Sequence, residues 1–311
     1  VAARTPRGSA PLAARRRTRS PWRADGGLTG GAVKTLPRPS LWERRTLDPG
    51  AILLTGRTAL VTGAARGIGA ATALALARFG ADLALCDRDA EGLAATERAV
   101  REIGRRCTGA VLDVRDAPAV AAFLEEVGER FGHLDILVNN AGGGFAARFL
   151  DVSPKGEDAL VRENFGSVTG MIRAAVPLLR EGASIVNVTS VEAHRAGPMF
   201  AIYSAMKAAV ANLTRSLALE LAERCIRVNC VAPDMIPTPG DRDLEEASGA
   251  TALPVRRHAW PEEGSVHDCA AAVVFLASDL SRFVTGTTLH VDGGTWAAGG
   301  WKVRPDGSFA L

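Results

Sequence analysis

Tyrosine occurs once in the 311 residues, at Tyr203, so any chemistry that needs a phenol has a single address. Cysteine is also scarce. The five are Cys86, Cys107, Cys225, Cys230 and Cys269, an odd number without a CxxC pair or a metal-ligand spacing. That pattern excludes a disulfide framework and a structural zinc site, and a reducing cytoplasm is the expected home. Long hydrophobic runs are missing too: the longest, Ala270 to Ala277, is far too short to span a bilayer, so no membrane association is expected. Acidic residues are nearly absent from residues 1–45, where eleven Lys/Arg face only Asp25 and Glu43. This local +9 against a whole-chain +3 leaves −6 for the remainder, so the pI of 8.7 belongs to the tail. A mildly acidic body gives no electrostatic reason to expect nucleic acid.

Residues 1–50 are rich in Arg, Pro, Ala and Gly without an apolar period and are expected to form a disordered extension. An organelle transit peptide, a start of translation further downstream and an Arg-rich nucleic-acid-binding arm are alternative readings of the same composition. Residues 51–311 read as one α/β domain. Short β-branched or apolar runs at 58–62, 82–86, 109–112, 135–139, 184–189, 226–231 and 288–291 alternate with amphipathic stretches at 68–79, 89–104, 117–131, 154–180, 203–223 and 267–277. This rhythm predicts a single Rossmann-type, doubly wound domain with a seven-stranded parallel sheet flanked by helices. Ligands of such sheets lie beyond the carboxyl ends of the strands.

The first strand runs into Thr62-Gly63-Ala64-Ala65-Arg66-Gly67-Ile68-Gly69 and then an Ala-rich helix. Glycines without Cβ allow a sharp turn and a close approach to a pyrophosphate, which the N–H groups of the helix start stabilise. The alternative is a plain tight turn. The second strand ends at Asp87, 24 residues beyond Gly63, where a carboxylate accepts from ribose hydroxyls and repels a 2′-phosphate. NAD is therefore expected over NADP, although Arg66 and Arg88 stand close enough in sequence to neutralise a phosphate.

Tyr203 and Lys207, at i and i+4 of a helical pattern, share one face. A phenol with a pKa near ~10 is a poor base at neutral pH, and a neighbouring ammonium, joined by an oxidised nicotinamide ring, favours the phenolate. Ser190 follows an apolar strand at its carboxyl edge, where a hydroxyl can donate to a substrate oxygen.

The ordered set Thr62-Gly63…Gly67-Ile68-Gly69, Asp113-Val114, Asn139-Asn140-Ala141-Gly142, Asn164, Ser190, Tyr203, Lys207 and Val291-Asp292-Gly293-Gly294 resembles a short-chain dehydrogenase/reductase of the compact kind, over about residues 53 to 295. The resemblance implies that Asp113 and Val114 contact adenine and that Asn140, Ala141 and Gly142 line the cofactor cleft. It implies that Asn164 holds a proton-relay water, that Ser190 and Tyr203 act on the substrate oxygen, and that Lys207 also binds the nicotinamide ribose. Gly63, Arg66, Gly67, Ile68, Gly69, Asp87, Tyr203, Pro233 and Ile236 join the implied cofactor set. Thr238 matches the residue that touches the carboxamide. Helices 154–180 and 203–223 match those that pair subunits, so a homodimer or homotetramer is expected.

Two departures stand out. Pro233-Asp234 replaces the usual Pro-Gly, which predicts a strained turn at Asp234. The stretch after it, a substrate lid over about 233–266, has an unusual ending at Trp260-Pro261-Glu262-Glu263-Gly264. His194, His258 and His267 are candidates for substrate contact, Trp296, Trp301 and Phe309 for capping a pocket or reaching a neighbouring subunit, and no metal is expected. The expected activity is hydride transfer between NAD(H) and a secondary alcohol or ketone. Reduction of a 3-oxoacyl thioester is the nearest alternative, and a non-catalytic dinucleotide-binding protein is one of a different class.

Overall fold

Runs such as Thr58-Ala-Leu-Val-Thr62 and Leu134-Asp-Ile-Leu-Val-Asn139 are buried at every position, which is what strands covered by helices on both faces require. The computed structural model describes residues 48–234, 236–238, 259–300, 302–303 and 308–310. The chain divides into two units, 1–46 and 47–311, and every described residue lies in the second. The strands are β1 (Thr58–Thr62), β2 (Asp82–Asp87), β3 (Cys107–Val111), β4 (Leu134–Asn139), β5 (Leu179–Val188), β6 (Arg227–Pro233) and β7 (Thr288–Val291). They form one parallel sheet in the order β3-β2-β1-β4-β5-β6-β7. The order reverses between β1 and β4, and the crevice at their carboxyl ends is the topological switch point of the sheet.

Helices α1 (Gly67–Arg78), α2 (Ala90–Glu102) and α7 (Val266–Ala277) cover one face, with Leu76, Leu93 and Val273 in the core. The other face is covered by α3 (Ala117–Phe131), α5 (Ser167–Ala175) and α6 (Ala201–Glu220) through Phe123, Met171 and Val210. Asp89, Asp116 and Ser153 cap α2, α3 and α4 (Pro154–Val161) by accepting from the backbone N–H of Gly92, Ala119 and Gly156. Each such cap stabilises its helix by about 1 kcal/mol.

The expected single helix over 154–180 is not what forms. It breaks into α4, a π-helical turn at Arg162–Gly166 and α5, and β5 already begins at Leu179. Pro177 supplies the reason for the stop: its ring and missing N–H end α5 two residues earlier. The other boundaries differ from expectation by a few residues, with β3 starting at Cys107, α6 starting at Ala201 and ending at Glu220, and β6 reaching Pro233.

Structural ions and chemistry-bearing side chains occupy opposite ends of the sheet. At the amino ends Asp135 takes the N–H of Thr58 at 2.8 Å and pairs with Arg180 and His133. The Arg227 guanidinium binds the Leu276 and Ser278 carbonyls and Ser281 Oγ. The carboxyl ends are left to the glycine loop, Asn139-Asn140, Ser190 and the start of α6. Among the described residues, no helix is long and apolar enough to cross a membrane.

Candidate active site

Gly63 and Gly67 adopt left-handed backbone, φ +66° and +59°, where a side chain is strained. A Cβ on Gly63 would lie 2.9 Å from both Ala141 Cα and Asn140 Nδ2, and one on Gly69 would overlap the Gly63 carbonyl. The loop is locked to β4 as well. Thr62 Oγ1 accepts the N–H groups of Asn140 and Ala141, both at 3.0 Å, while Asn140 Nδ2 donates to the carbonyls of Thr62 and Gly63. The N–H groups of Gly67, Ile68 and Gly69 begin α1, where a helix has no intrahelical acceptors to offer them, and its positive end favours an anion. This side-chain-free cradle fits a dinucleotide pyrophosphate. Thr238 lies beside the loop, its methyl 3.4 Å from where a Gly67 Cβ would project. Pro233 ends β6, and Ile236 is buried.

At the rim, Asp87 accepts from the N–H of Ala65 at 2.9 Å and of Asp89 at 3.0 Å, so its carboxylate is fixed at the end of β2. Asp113 is forked by Arg115 at 2.5 to 3.0 Å, and that hydrogen bonding holds its pKa down to about 2. The carboxylate expected at the adenine is therefore already engaged, beside Val114. Arg88 reaches Glu163 at 3.9 Å. Arg66 precedes α1 in extended backbone and gives no side-chain cap.

Tyr203 lies in the first turn of α6 and Lys207 one turn on. Lys207 is only 4% exposed, and its Nζ donates to the Val188 carbonyl at 3.1 Å. Burial pushes its pKa down to about 8. The same Nζ is 5.5 Å from the centre of the Tyr203 ring. Asn164 is fully buried in the π-helical turn, where Nδ2 donates to the carbonyls of Leu160 and Gly143 and Oδ1 accepts from the Gly143 N–H at 3.3 Å. A Cβ on Gly142 would lie 3.0 Å from Asn164 Oδ1 and 3.1 Å from Lys207 Nζ, so the two converge on the space beside Gly142. Gly144 lies against the Tyr203 ring. Ser190, just beyond β5, accepts the Glu192 N–H at 3.2 Å and caps a short 3-10 turn at Val191–Ala193.

The sequence reading missed what holds this group from behind. Asn139 Nδ2 donates to Asn187 Oδ1 at 2.8 Å, Asn187 Nδ2 to Thr214 Oγ1 at 2.9 Å, and Cys230 Sγ to the same oxygen at 3.1 Å. This buried chain ties β4, β5 and β6 to α6. The only signal for it was Thr214 lying two turns beyond Lys207 on the same helical face.

The strained turn expected at Asp234 does not occur, because Asp234 is not among the residues with positive φ. Its side chain instead takes Arg195 at 3.3 Å and accepts from Thr295 Oγ1 at 2.6 Å, while Arg195 also pairs with Glu192. Asp234 thus links the loop after Ser190 to the turn after β7. His194 and His290 meet edge to face at 4.8 Å, and Trp296 stacks on His290 at 5.6 Å. Desolvation and the neighbouring His290 lower the His194 pKa. His267 is exposed on α7. Met235, residues 239–258 of the expected lid (with His258), Trp301 and the Phe309 side chain lie outside the described residues. Among the described residues, no cluster of three potential ligands could hold a metal.

A family model described as Enoyl-(Acyl carrier protein) reductase matches residues 63–295. Oxidoreductase UcpA of Escherichia coli (strain K12) is 40% identical over 259 residues, 78% of this chain and 95% of its own length. Cyclohexanol dehydrogenase of Rhodococcus sp. (strain TK6) is 39% identical over 265 residues, 78% of this chain and 96% of the relative. Among solved structures, carveol dehydrogenase from Mycobacterium avium in complex with NAD superimposes with a TM-score of 0.74 at 32% identity, covering 78% of this chain and 99% of that one. With the switch-point cradle and the order of motifs along it, these matches place the chain in the short-chain dehydrogenase/reductase family of oxidoreductases.

Proposed function

We propose that this protein interconverts a secondary alcohol and its ketone, with Tyr203 exchanging the hydroxyl proton. The observation that carries the reading is the convergence of a buried ammonium, Lys207 Nζ, on the chain's single phenol, with Asn164 Oδ1 on the same side. NAD(H), bound at the cradle, supplies or accepts the hydride. In the oxidative direction Tyr203 Oη takes the proton of the substrate hydroxyl, and Ser190 Oγ donates to the same oxygen as negative charge develops. Lys207 favours the phenolate through its charge. Asn164 Oδ1 and Lys207 Nζ, which flank Gly142 on one side, are close enough together to share a water that carries the proton outward. Lys207 and Asn164 also fix geometry, since each is held by backbone carbonyls.

The Asp87 carboxylate, oriented by two backbone N–H groups, presents fixed negative charge where a 2′-phosphate would lie, while Arg88 is directed towards Glu163. The expected result is a kcat/KM for NADH at least about tenfold above that for NADPH, equivalent to ~1.4 kcal/mol. Initial rates of ketone reduction with each dinucleotide check this, and equal efficiencies would remove Asp87 from the selectivity account. Rates across a ketone panel test the activity itself: turnover supports it, and failure to oxidise NADH with any ketone refutes it. The proposed assembly is a homodimer or homotetramer paired through α4, α5 and α6, supported by Leu219, which stands 79% exposed on α6.

A further inference from the structure

A recess beside Tyr203 has a composition that the proton-transfer reading does not use. It is formed by Phe145, Phe149, Val152, Met199, Phe200 and Ile202 with smaller apolar neighbours, and Tyr203 is its one polar member. Among the described residues, no charged side chain lines it. Two loops build it, the segment after Gly144 and the turn before α6, and the Ala147 N–H donates to the Met199 carbonyl at 2.9 Å to hold them together. Met199 has φ +72°, a left-handed backbone that an unbranched L-residue adopts only under constraint. A glycine would remove that strain, yet the chain keeps a large apolar side chain there. Phe145 and Met199 remain 42% and 43% exposed, so apolar surface is left uncovered next to the reacting phenol.

From this geometry we infer that the mouth of this narrow recess is a specificity site for compact, apolar ketones and their secondary alcohols, with Phe145 and Met199 as specificity-determining residues. The inference rests on the proposed function and names its substrate class. A polyhydroxylated ketone would lose water hydrogen bonds in this recess without replacement, which is unfavourable for every unpaired hydroxyl. An acyl thioester with a phosphorylated carrier arm would find no cation among the described residues of these walls. An apolar ring, in contrast, gains burial against Phe145 and Met199.

The test compares cyclohexanone with inosose, its polyhydroxylated counterpart of the same ring size, and with S-acetoacetyl phosphopantetheine. Cyclohexanone is expected to show a kcat/KM at least about tenfold above either competitor. Met199→Gly and Phe145→Ser should each raise the KM for cyclohexanone roughly tenfold, with a smaller effect on kcat. Because Met199→Gly relieves the backbone, its Tm should not fall, which separates lost substrate contact from lost folding. Preference for inosose or the thioester, or variants that leave the cyclohexanone KM unmoved, would overturn the assignment. Calorimetric titration of the three ketones into the NAD-bound protein keeps the two readings distinguishable. No turnover with cyclohexanone still bound most tightly defeats the proton-transfer reading and supports this one; tighter binding of inosose or the thioester defeats this one alone.

Discussion

Tyr203→Phe is expected to lower kcat by at least ~10²-fold to 10⁴-fold, the range that a positioned general acid or base supplies, while the Kd for NADH changes by no more than about twofold. The substitution deletes one oxygen. It keeps the ring that lies against Gly144 and near Phe200, so the recess and the first turn of α6 stay packed. It also leaves Lys207 on the Val188 carbonyl and Asn164 on Gly143, since neither of these bonds involves the phenol. The glycine cradle is built from other elements altogether. Steady-state rates with a ketone and fluorescence titration with NADH measure the two quantities. A variant retaining a tenth or more of wild-type kcat would remove the phenol from the chemistry, and one that lost NADH binding would show a structural role instead.

Gly69→Ala has the second large expected effect, and it falls on binding rather than on the proton. The added Cβ would overlap the Gly63 carbonyl and crowd Asn140 Nδ2, neither of which is free to retreat. Gly63 is held by the Asn140 amide, and Asn140 by Thr62. Overpacking of this kind costs about 1–3 kcal/mol, and the loop can relieve it only by shifting from the position in which it fits the proposed pyrophosphate. NADH affinity should fall by tenfold or more, with a lower Tm. Gly67→Ala is the informative contrast. Among the described residues its Cβ would meet the Thr238 side chain at 3.4 to 3.5 Å, an ordinary contact, so its penalty comes mainly from the left-handed φ of +59°. Titration of both variants should rank Gly69→Ala as the more damaging, and equal Kd values would contradict the close-approach account.

The features read correctly from sequence were those with a local cause. Glycines at 63 and 69 announce a backbone without room for Cβ, Gly67 announces a left-handed turn, and apolar runs separated by amphipathic stretches announce a parallel sheet. Tyr203 and Lys207 could be paired because helical periodicity fixes their relation without tertiary information. What escaped depends on contacts distant in sequence. The π-helical turn that buries Asn164 has no local signature in Arg162-Glu-Asn-Phe-Gly166, whereas the end of α5 has a local cause in Pro177. The Asn139, Asn187, Thr214 and Cys230 chain joins three strands and a helix, so no single window contains it. Asp234 departs from expectation for a related reason. Substitution of a customary glycine predicts backbone strain, whereas the residue has no positive φ and its side chain engages Arg195 and Thr295. The recess beside Tyr203 is likewise assembled from two loops more than forty residues apart.

The most direct test of the central claim, that Lys207 makes Tyr203 competent to take a proton, is the pH profile of alcohol oxidation. Wild-type kcat/KM should rise with pH through an apparent ionisation of the Tyr203 and Lys207 pair below the ~10 of an ordinary phenol, because the phenolate accepts the proton and a nearby ammonium favours it. Lys207 is half charged near its lowered pKa of about 8, so it exerts this effect fully below that pH and loses it above. Lys207→Met should move the rising limb upward and depress the rate at neutral pH. A wild-type limb near 10, or a limb that stays in place when Lys207 is replaced, would contradict the account.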